Sequence, residues 1–382
     1  MIKIKFENLL VSIVVSVVVF FNTISTTMLD RTFFQVKVNF LFLVVLLLGL
    51  RFLYKMRVSY KYLILSILLL LSGGLVYFQT NRLNFLVYSM LLVLLVNVDM
   101  KVVLRNYVVV AGILVVGVFL LSLVGIVPNL QYNRAGVIRN SFGFIYPTDF
   151  ASHCFYLFLA ISYLLKDKFI WTRSLFGVLL SAFIIKYCDA RLNAVSILLA
   201  TVIFIYFYYS NGKKLKIFAL LPYSAVVFAS VVTYLSYKFS WSNPFLVSIN
   251  KLITGRLALG RNAFDTFGVH LFGTRNVQFI GSGGKTESVI GYNYVDSSYV
   301  QMLFTYGIVP VVLLIIIYVV ASRKQYKDGQ YLLVAILSLI AFNCMIEAFW
   351  FVPTYNIFMF LLFTTNTFSK KQSNDITKLN AT

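Results

Sequence analysis

Residues 106–128 read N-Y-V-V-V-A-G-I-L-V-V-G-V-F-L-L-S-L-V-G-I-V-P, which is 23 positions without a charged side chain. A helix that crosses the hydrocarbon core of a bilayer needs about 20 consecutive, mostly apolar residues. This stretch is long enough and apolar enough, so it predicts a membrane-spanning helix.

The composition of the whole chain agrees with that prediction. Of the 382 residues, 60% are hydrophobic and 12% are charged, and the mean hydropathy is +0.88. A soluble protein carries roughly a quarter charged residues. In a soluble protein the net charge of +21 would suggest a nucleic-acid partner. Here the basic residues lie between apolar runs, so lipid head groups and the membrane potential are the expected partners, and no nucleic acid is.

Twelve segments are predicted to span the membrane, and we expect an all-α integral membrane protein with about 12 transmembrane helices. No internal repeat or linker is visible, so residues 1–382 are read as a single polytopic domain. The first run has no convincing cleavage site and is read as a retained span. The predicted spans are 9–29, 38–54, 61–78, 83–99, 106–128, 147–165, 174–190, 192–209, 215–237, 297–320, 330–349 and 352–368.

Basic residues in the connecting loops predict that both termini are cytoplasmic. In that orientation 20 of the 33 Lys and Arg residues face the cytoplasm, and every short cytoplasmic loop is basic. Only five of those 20 are arginine, whereas eight of the 13 on the outer side are. The outer arginines are Arg31, Arg82, Arg134, Arg139, Arg191, Arg256, Arg261 and Arg275.

This arginine bias suggests that an anionic group is handled outside the cytoplasm. The guanidinium fork binds phosphate and carboxylate in bidentate fashion, whereas lysine offers a point charge. The alternative is that these arginines pair with acidic side chains or lipid phosphates. Asp189 is expected to neutralise Lys186 three residues before it, which leaves Arg191 without an obvious local partner.

Residues 238–296, between the ninth and tenth spans, form one long loop on the outer side. Apolar residues at Leu246, Ile249, Ile253, Leu257, Phe264 and Phe267 follow helical spacing, which predicts an amphipathic helix over 244–267 at the membrane surface. Arg261 and Asp265 are four apart and can pair along it. His270 is either a base or a polar residue of a packed loop, and G-S-G-G at 281–284 predicts a flexible turn.

The stretch R-N-S-F-G-F-I-Y-P-T-D at 139–149 leads into the sixth span. Pro147 can start a helix but cannot continue one, and Gly143 lets the backbone bend close to a ligand. These features would hold Arg139 at the outer membrane interface, level with a lipid phosphate. The structural alternative is a salt bridge from Arg139 to Asp149.

Metal and disulfide chemistry are not expected. The two histidines, His153 and His270, are too few for a probable zinc site, and the outer carboxylates do not cluster in sequence. Cys154, Cys188 and Cys344 are far apart and form no C-x-x-C motif. Glu347 lies near the outer end of the eleventh span, where we expect it to face the bundle interior beside an arginine or tyrosine.

Four features resemble the O-antigen and capsular polysaccharide polymerases (Wzy-type), which are related to the O-antigen ligases. Many spans are followed by one long outer loop. R-N-S-F-G-F-I-Y-P at 139–147 is similar to the family's R-x-S-x-G-F-x-x-P. G-R-L-A-L-G-R at 255–261 with H-L-F-G-T at 270–274, and D-S-S-Y at 296–299 with Y-G at 306–307, resemble its loop motifs.

The resemblance implies a metal-independent glycosyltransferase without cofactors in the bacterial cytoplasmic (inner) membrane. The polymerase would transfer a growing glycan from undecaprenyl pyrophosphate onto a lipid-linked repeat unit at the outer face, working with a flippase and a chain-length regulator. Its catalytic candidates are Arg139, Arg191, Arg256 and Asp296. The substrate-binding candidates are Arg134, Arg261, His270, Arg275 and Tyr299.

Asp296 stands where the ligases carry histidine, which argues against a ligase. It is a candidate general base, but it could instead orient Arg256 or cap the tenth span. A flippase for the same lipid-linked glycan is the main alternative function. A flippase needs arginines along a cavity that reaches both leaflets, whereas the predicted arginines crowd one side.

Overall fold

The computed structural model describes residues 6–29, 60–134, 136–210, 215–287 and 289–365. The predicted span 38–54 lies outside these residues. The described chain is mostly helical, as the apolar runs predicted. Its helices are α1 Phe6–Ile24, α2 Tyr60–Thr80, α3 Asn84–Leu94, α4 Met100–Leu123, α5 Pro147–Leu164, α6 Ile170–Cys188, α7 Arg191–Tyr209, α8 Ser224–Lys238, α9 Pro244–Leu252, α10 Arg256–Phe267, α11 Ser298–Thr305, α12 Ile308–Lys327, α13 Tyr331–Asn343 and α14 Ile357–Phe360.

Six helical segments of the described chain are long and apolar enough to cross a membrane. They are α2, α4, α6, α7, α12 and the segment Lys216–Lys238, in which two short 3₁₀ turns lead into α8. Shorter apolar helices occupy Asn8–Ile24, α3 and α13. This architecture is consistent with a helical membrane protein.

Helix α5 lies at the centre of the bundle, packed against α4, α6 and α7. It begins where the sequence predicts, because Tyr146 is extended and Pro147 occupies the first helical turn. Most of its side chains are buried, including Phe155, Tyr156 and Leu159. The helix therefore fixes the position of whatever lies at its N-terminus.

Residues 344–356, between α13 and α14, are mostly buried although they form no helix. The Tyr107 hydroxyl on α4 donates to the carbonyl oxygens of Thr354 (3.2 Å) and Tyr355 (2.9 Å), and Asn356 Nδ2 donates to Trp350 O at 2.7 Å. Irregular backbone at membrane depth is tolerated where protein groups satisfy its carbonyls and amides. This segment meets that condition and brings Glu347 to the end of the bundle.

A short β-hairpin is the main departure from the all-α prediction. Strands β1 Gln131–Arg134 and β2 Val137–Asn140 pair antiparallel, with Tyr132 opposite Arg139. Gly136 has a φ of 84° at the turn, a conformation that favours glycine. The stretch before α5 is therefore a defined hairpin followed by a tight loop.

The long loop contains two helices where the sequence predicted one over 244–267. The break lies at Thr254 and Gly255, whose φ angles are 57° and 87°. The predicted membrane-facing stripe is also wrong, because Leu246 and Leu257 are buried against Phe239. Those apolar side chains stabilise the loop against the protein and do not face the bilayer.

The predicted span 297–320 is broken into α11 and α12 at Gly307. The long loop docks at this break, where Ile308 N donates to His270 O and Val309 N donates to Leu271 O, each at 3.0 Å. Gly307 has a φ of 93°, and a Cβ there would lie 2.3 Å from Gly273 N. Glycine is therefore required for the close approach of loop and helix.

Candidate functional site

The candidate site lies at one end of the bundle, where several helices begin or end together. α5 begins at Pro147 and α7 at Arg191, while α6 ends at Cys188. The β-hairpin contacts α6 at this end, and the N-terminus of α10 meets the turn after α13. The site is thus built from elements that are distant in the sequence.

The hairpin places two predicted site residues on one face. Tyr132 and Arg139 are directly opposite, and Arg134 lies two positions along the strand from Tyr132. Opposite residues and residues two apart project to the same side of a sheet. Arg134 and Arg139 therefore point together toward the C-terminus of α6.

Asp189 holds two arginines at the connection between α6 and α7. Arg134 Nη2 donates to the Asp189 carboxylate and, at 3.0 Å, to its carbonyl oxygen, while Arg191 Nε lies 2.9 Å from Oδ1. Burial acts to raise the pKa of Asp189, but the hydrogen bonds from Arg191 and Arg134 outweigh it and lower the pKa. Lys186 lies over the Tyr187 ring instead, so the expected Lys186–Asp189 neutralisation is wrong.

Arg139 has an unused hydrogen-bonding capacity. Its Nε donates to Cys188 O at 2.9 Å, but its buried Nη2 has no hydrogen-bond partner among the described residues. The structural alternative was a salt bridge from Arg139 to Asp149. That pair is not among the ion pairs of the described chain. Burial, followed by the charge of Arg134, lowers the pKa of Arg139 to about 10, so it stays cationic at neutral pH.

Gly143 does not make room for a ligand, contrary to the sequence interpretation. Its φ is 85°, and a Cβ at this position would lie 2.7 Å from Val118 Cγ1 on α4. Its carbonyl oxygen accepts a hydrogen bond from Met28 N at 2.9 Å. The glycine therefore lets the loop after the hairpin pack against α4.

Arg256 is fixed at the N-terminus of α10. Its Nε lies 3.2 Å from Asp296 Oδ2 and donates to Ile346 O at 3.2 Å. Its Nη1 donates to Ile253 O at 3.3 Å and to the Thr254 hydroxyl. These contacts join the long loop to the buried turn after α13.

Of the three roles predicted for Asp296, general base, orientation of Arg256 or helix cap, its contact with Arg256 fits the second. The N-cap position of α11 belongs to Ser297, not to Asp296. Burial raises the pKa of Asp296, while Arg256 and Arg139 oppose that rise. Arg139, Arg256 and Asp296 therefore lie within electrostatic range of one another, while Arg191, the fourth predicted catalytic residue, pairs with Asp189.

Glu347 is a further buried carboxyl of the site. Only 5% of the residue is exposed, and its Oε1 accepts a hydrogen bond from Asn193 Nδ2 on α7 at 3.4 Å. Arg256, Asp296, Asp149 and Arg139 all lie within its electrostatic range. The prediction that Glu347 faces the bundle interior is confirmed, although the side chain that contacts it is an asparagine.

Tyrosines that the sequence analysis missed surround Asp296. Tyr292 and Tyr294 both lie within electrostatic range of Asp296 and Tyr146. Tyr292 is 43% exposed, whereas burial raises the pKa of the Tyr294 phenol. The Tyr146 hydroxyl also accepts a hydrogen bond from Gly283 N. The sequence Y-N-Y-V-D at 292–296 could have indicated this grouping. Tyr292, Tyr294 and Asp296 alternate along it, and alternate residues of an extended segment lie on the same side.

Tyr299 belongs to the wall of an apolar groove and takes no part in the arginine contacts described above. The groove runs between α8, α10, α11 and α12 and includes Tyr237, Phe264, Leu303 and Val312. The Tyr299 hydroxyl donates to Ala341 O at 2.9 Å, so its polar atom is already bonded within the protein.

Three other predicted substrate-binding residues make none of the contacts described above with Arg139, Arg256 or Asp296. Arg261 pairs with Asp265 at 2.7 Å, as predicted, and donates to Tyr237 O at 2.6 Å. His270 and Arg275 are exposed on the segment that follows α10. Their predicted roles in substrate binding stay predictions.

The arginines at this end of the bundle are not accompanied by a group of metal-binding side chains among the described residues. Among the described residues, no set of three or more His, Cys, Asp or Glu side chains is arranged to hold a metal ion. Arg134 and Arg191 share the single carboxylate of Asp189, which balances only one of the two charges. Arg139 Nη2 has no hydrogen-bond partner among the described residues, and Arg256 lies within electrostatic range of Arg139. The arrangement can bind an anion and place a carboxylate next to it.

Fold and site together define the chain as a mostly helical protein, consistent with a helical membrane protein, with an arginine cluster at one end of its bundle. Comparisons with family models, curated proteins and solved structures give no match.

Proposed function

We propose that this protein is a polysaccharide polymerase that uses glycans linked to undecaprenyl pyrophosphate. The observation that carries the proposal is Arg139, whose Nη2 has no hydrogen-bond partner among the described residues and whose charge lies within electrostatic range of Arg256 and Asp296. A pyrophosphate needs several cationic donors, and arginine is the side chain best suited to phosphate oxygens. The resemblance of the surrounding motifs to the Wzy-type polymerases points to the same substrate.

In the proposed reaction, a hydroxyl of the lipid-linked repeat unit attacks the anomeric carbon of the growing chain. A new glycosidic C–O bond forms while the C–O bond to undecaprenyl pyrophosphate breaks, and the pyrophosphate leaves with the bonding electron pair. Arg139 and Arg256 would stabilise the negative charge that develops on the leaving group. No metal ion or nucleotide takes part in this step.

Asp296 is the proposed acceptor of the proton that the attacking hydroxyl loses. Its burial raises its pKa, which makes its carboxylate a stronger base than an exposed aspartate. The hydroxyls of Tyr292 and Tyr294, close to this carboxylate, are suited to hydrogen bonds with sugar hydroxyls. The glycan would then lie across the tyrosines, with its pyrophosphate at the arginines.

The apolar groove offers a place for the isoprenoid tail of the donor. Phe264 in the groove lies eight positions along α10 from Arg256, which corresponds to about 12 Å along the helix axis. A lipid whose pyrophosphate binds Arg256 could therefore extend its first isoprene units toward Phe264. Tyr299 is only 1% exposed and its hydroxyl is bonded to Ala341 O, so it would support the wall of the groove beneath the tail.

A chromosomal deletion distinguishes this proposal from the flippase alternative. Without a polymerase, single lipid-linked repeat units should still reach the outer face and remain unpolymerised. Without a flippase, they should accumulate on the cytoplasmic face. Surface labelling of the repeat unit in the deletion strain reports which is the case, and inward accumulation would reject the polymerase proposal.

A further inference from the structure

Helix α9 carries exposed apolar side chains on the face that points away from the protein. Phe245 and Leu252 are seven positions apart, about two helical turns, and are 69% and 85% exposed. Trp241, just before the helix, is 70% exposed. These three residues define what we name the α9 outer face.

The orientation of α9 is fixed by its opposite side. Leu246 is buried against Phe239 and Leu257. The Asn250 side chain is also buried, and its Oδ1 accepts hydrogen bonds from Leu257 N at 3.0 Å and Ala258 N at 3.1 Å. The α9 outer face therefore cannot turn inward without breaking the junction between α9 and α10.

The α9 outer face begins three residues after the end of a membrane-length helix. The segment Lys216–Lys238 meets the length and composition of a membrane span. Its exposed side chains include Val227, Val231, Tyr234 and Tyr237, and Trp241 comes four residues after the last of them. If Lys216–Lys238 spans the bilayer, these exposed side chains contact lipid. The α9 outer face then lies at the level where the chain leaves the hydrocarbon core.

Two lysines flank the α9 outer face. Lys238 ends α8 and lies over the Tyr237 ring at 5.5 Å, and Lys251 is exposed near the end of α9. Aromatic side chains concentrate at the head-group level of membranes, and lysines there reach the lipid phosphates.

From this arrangement we propose that α9 is an interfacial anchor that inserts Trp241, Phe245 and Leu252 into the lipid leaflet at the arginine end of the bundle. Lys238 and Lys251 would contact the phosphates of the same leaflet. The anchor holds α10, and with it Arg256, at the depth of the lipid head groups. The proposal concerns the membrane surface and stands whether or not the protein is a polymerase.

Tryptophan quenching tests the proposal in proteoliposomes of the full chain. In a Trp171→Phe variant the remaining tryptophans are Trp241 and Trp350, and Trp350 is only 1% exposed. Lipids brominated near the head group should quench the Trp241 emission more than lipids brominated near the acyl end. Quenching by aqueous iodide with none by either lipid would overturn the proposal.

Spin labels provide a second measurement that does not depend on tryptophan. A nitroxide at Leu252→Cys should relax with oxygen, like one at the lipid-facing control Val231→Cys. A nitroxide at the exposed loop control Thr286→Cys should relax with a water-soluble nickel chelate. If the Leu252→Cys label behaves like the loop control, or shows spin–spin broadening from a second copy of the chain, α9 is not a lipid anchor.

Discussion

At the residue scale, two arginines with different surroundings show which one is available for a ligand. Arg173 is buried and donates through Nη1 to Ser162 O at 2.6 Å and through Nη2 to Lys166 O at 3.1 Å, at the C-terminal end of α5. Its Nε has no hydrogen-bond partner in the described chain. Arg139 donates to one carbonyl and keeps its Nη2 unbonded in the described chain. Each arginine therefore has one buried, unbonded nitrogen, but both terminal nitrogens of Arg173 are bonded to carbonyl oxygens, whereas a terminal nitrogen of Arg139 is left for an anion.

Replacing Arg139 should slow polymerisation without removing the protein from the membrane. Arg139→Ala loses a charge-assisted contact to a developing charge, which costs on the order of 100-fold in rate or more. Arg139→Lys keeps the charge but loses the fork, and should also be badly impaired. Polymer length and membrane abundance are measured together, with Arg323→Lys at the opposite end as the matched control. Full-length polymer from both abundant Arg139 variants would remove Arg139 from the site.

Asp296 should determine the acid side of the pH profile. The base works in its ionised form, so the rate falls as pH drops through its pKa. Burial raises that pKa, so the decline should begin at a higher pH than the ordinary aspartate value of about 3.9 implies. Initial rates of wild type and Asp296→Asn across pH test this. An unchanged acid limb in an active Asp296→Asn variant would show that Asp296 is not the base.

At the element scale, the sequence predicted α5 well because its start depends on local chemistry. Pro147 and the extended Tyr146 lie next to each other, and a buried helix then follows. The hairpin and the Asp189–Arg134 pair could not be predicted in this way. Asp189 lies 55 positions from Arg134, and only the packing of β2 on α6 brings them together.

The long loop shows a second limit of sequence periodicity. Apolar spacing over 244–267 indicated where helix would form, but the spacing is the same for a face that contacts lipid and one that contacts protein. The break at Thr254 and Gly255 depends on positive φ angles. The predicted stripe faces the protein, because Leu246 and Leu257 cover Phe239.

The junction between the long loop and α12 should depend on Gly307. Gly307 (φ 93°, ψ 174°) and Gly268 (φ 66°, ψ 170°) share a backbone conformation that is essentially restricted to glycine, so alanine strains the backbone at either position. At Gly268 a Cβ would meet only His270 Nε2, at 3.7 Å, whereas at Gly307 it would overlap Gly273 N and Leu271 O. Thermal unfolding of the detergent-purified variants should show a clearly larger loss for Gly307→Ala. Equal losses would mean that the loop does not dock at this break.

At the scale of the whole molecule, the arginine cluster lies at one end of the bundle, and charge counting predicts that this end faces outward. Single cysteines at Asn133 and Thr286, near the cluster, should react with an impermeant thiol reagent added to intact cells. A cysteine at Asp328, after α12, should react only after permeabilisation. Of the native cysteines, Cys188 and Cys344 are buried and Cys154 is partly buried, so the unsubstituted protein is labelled in parallel to measure the background. Reaction of the Asp328 cysteine in intact cells would overturn the orientation.

The most direct test is reconstitution of the purified protein with undecaprenyl-pyrophosphate-linked repeat units, followed by measurement of chain length. We predict that wild-type protein builds a ladder of polymer in the presence of a chelator, because the proposed step uses arginines and a carboxylate. Arg139→Lys, equally abundant in the vesicles, should leave single repeats. Single repeats from wild-type protein, or a ladder that requires added magnesium, would contradict the proposed function.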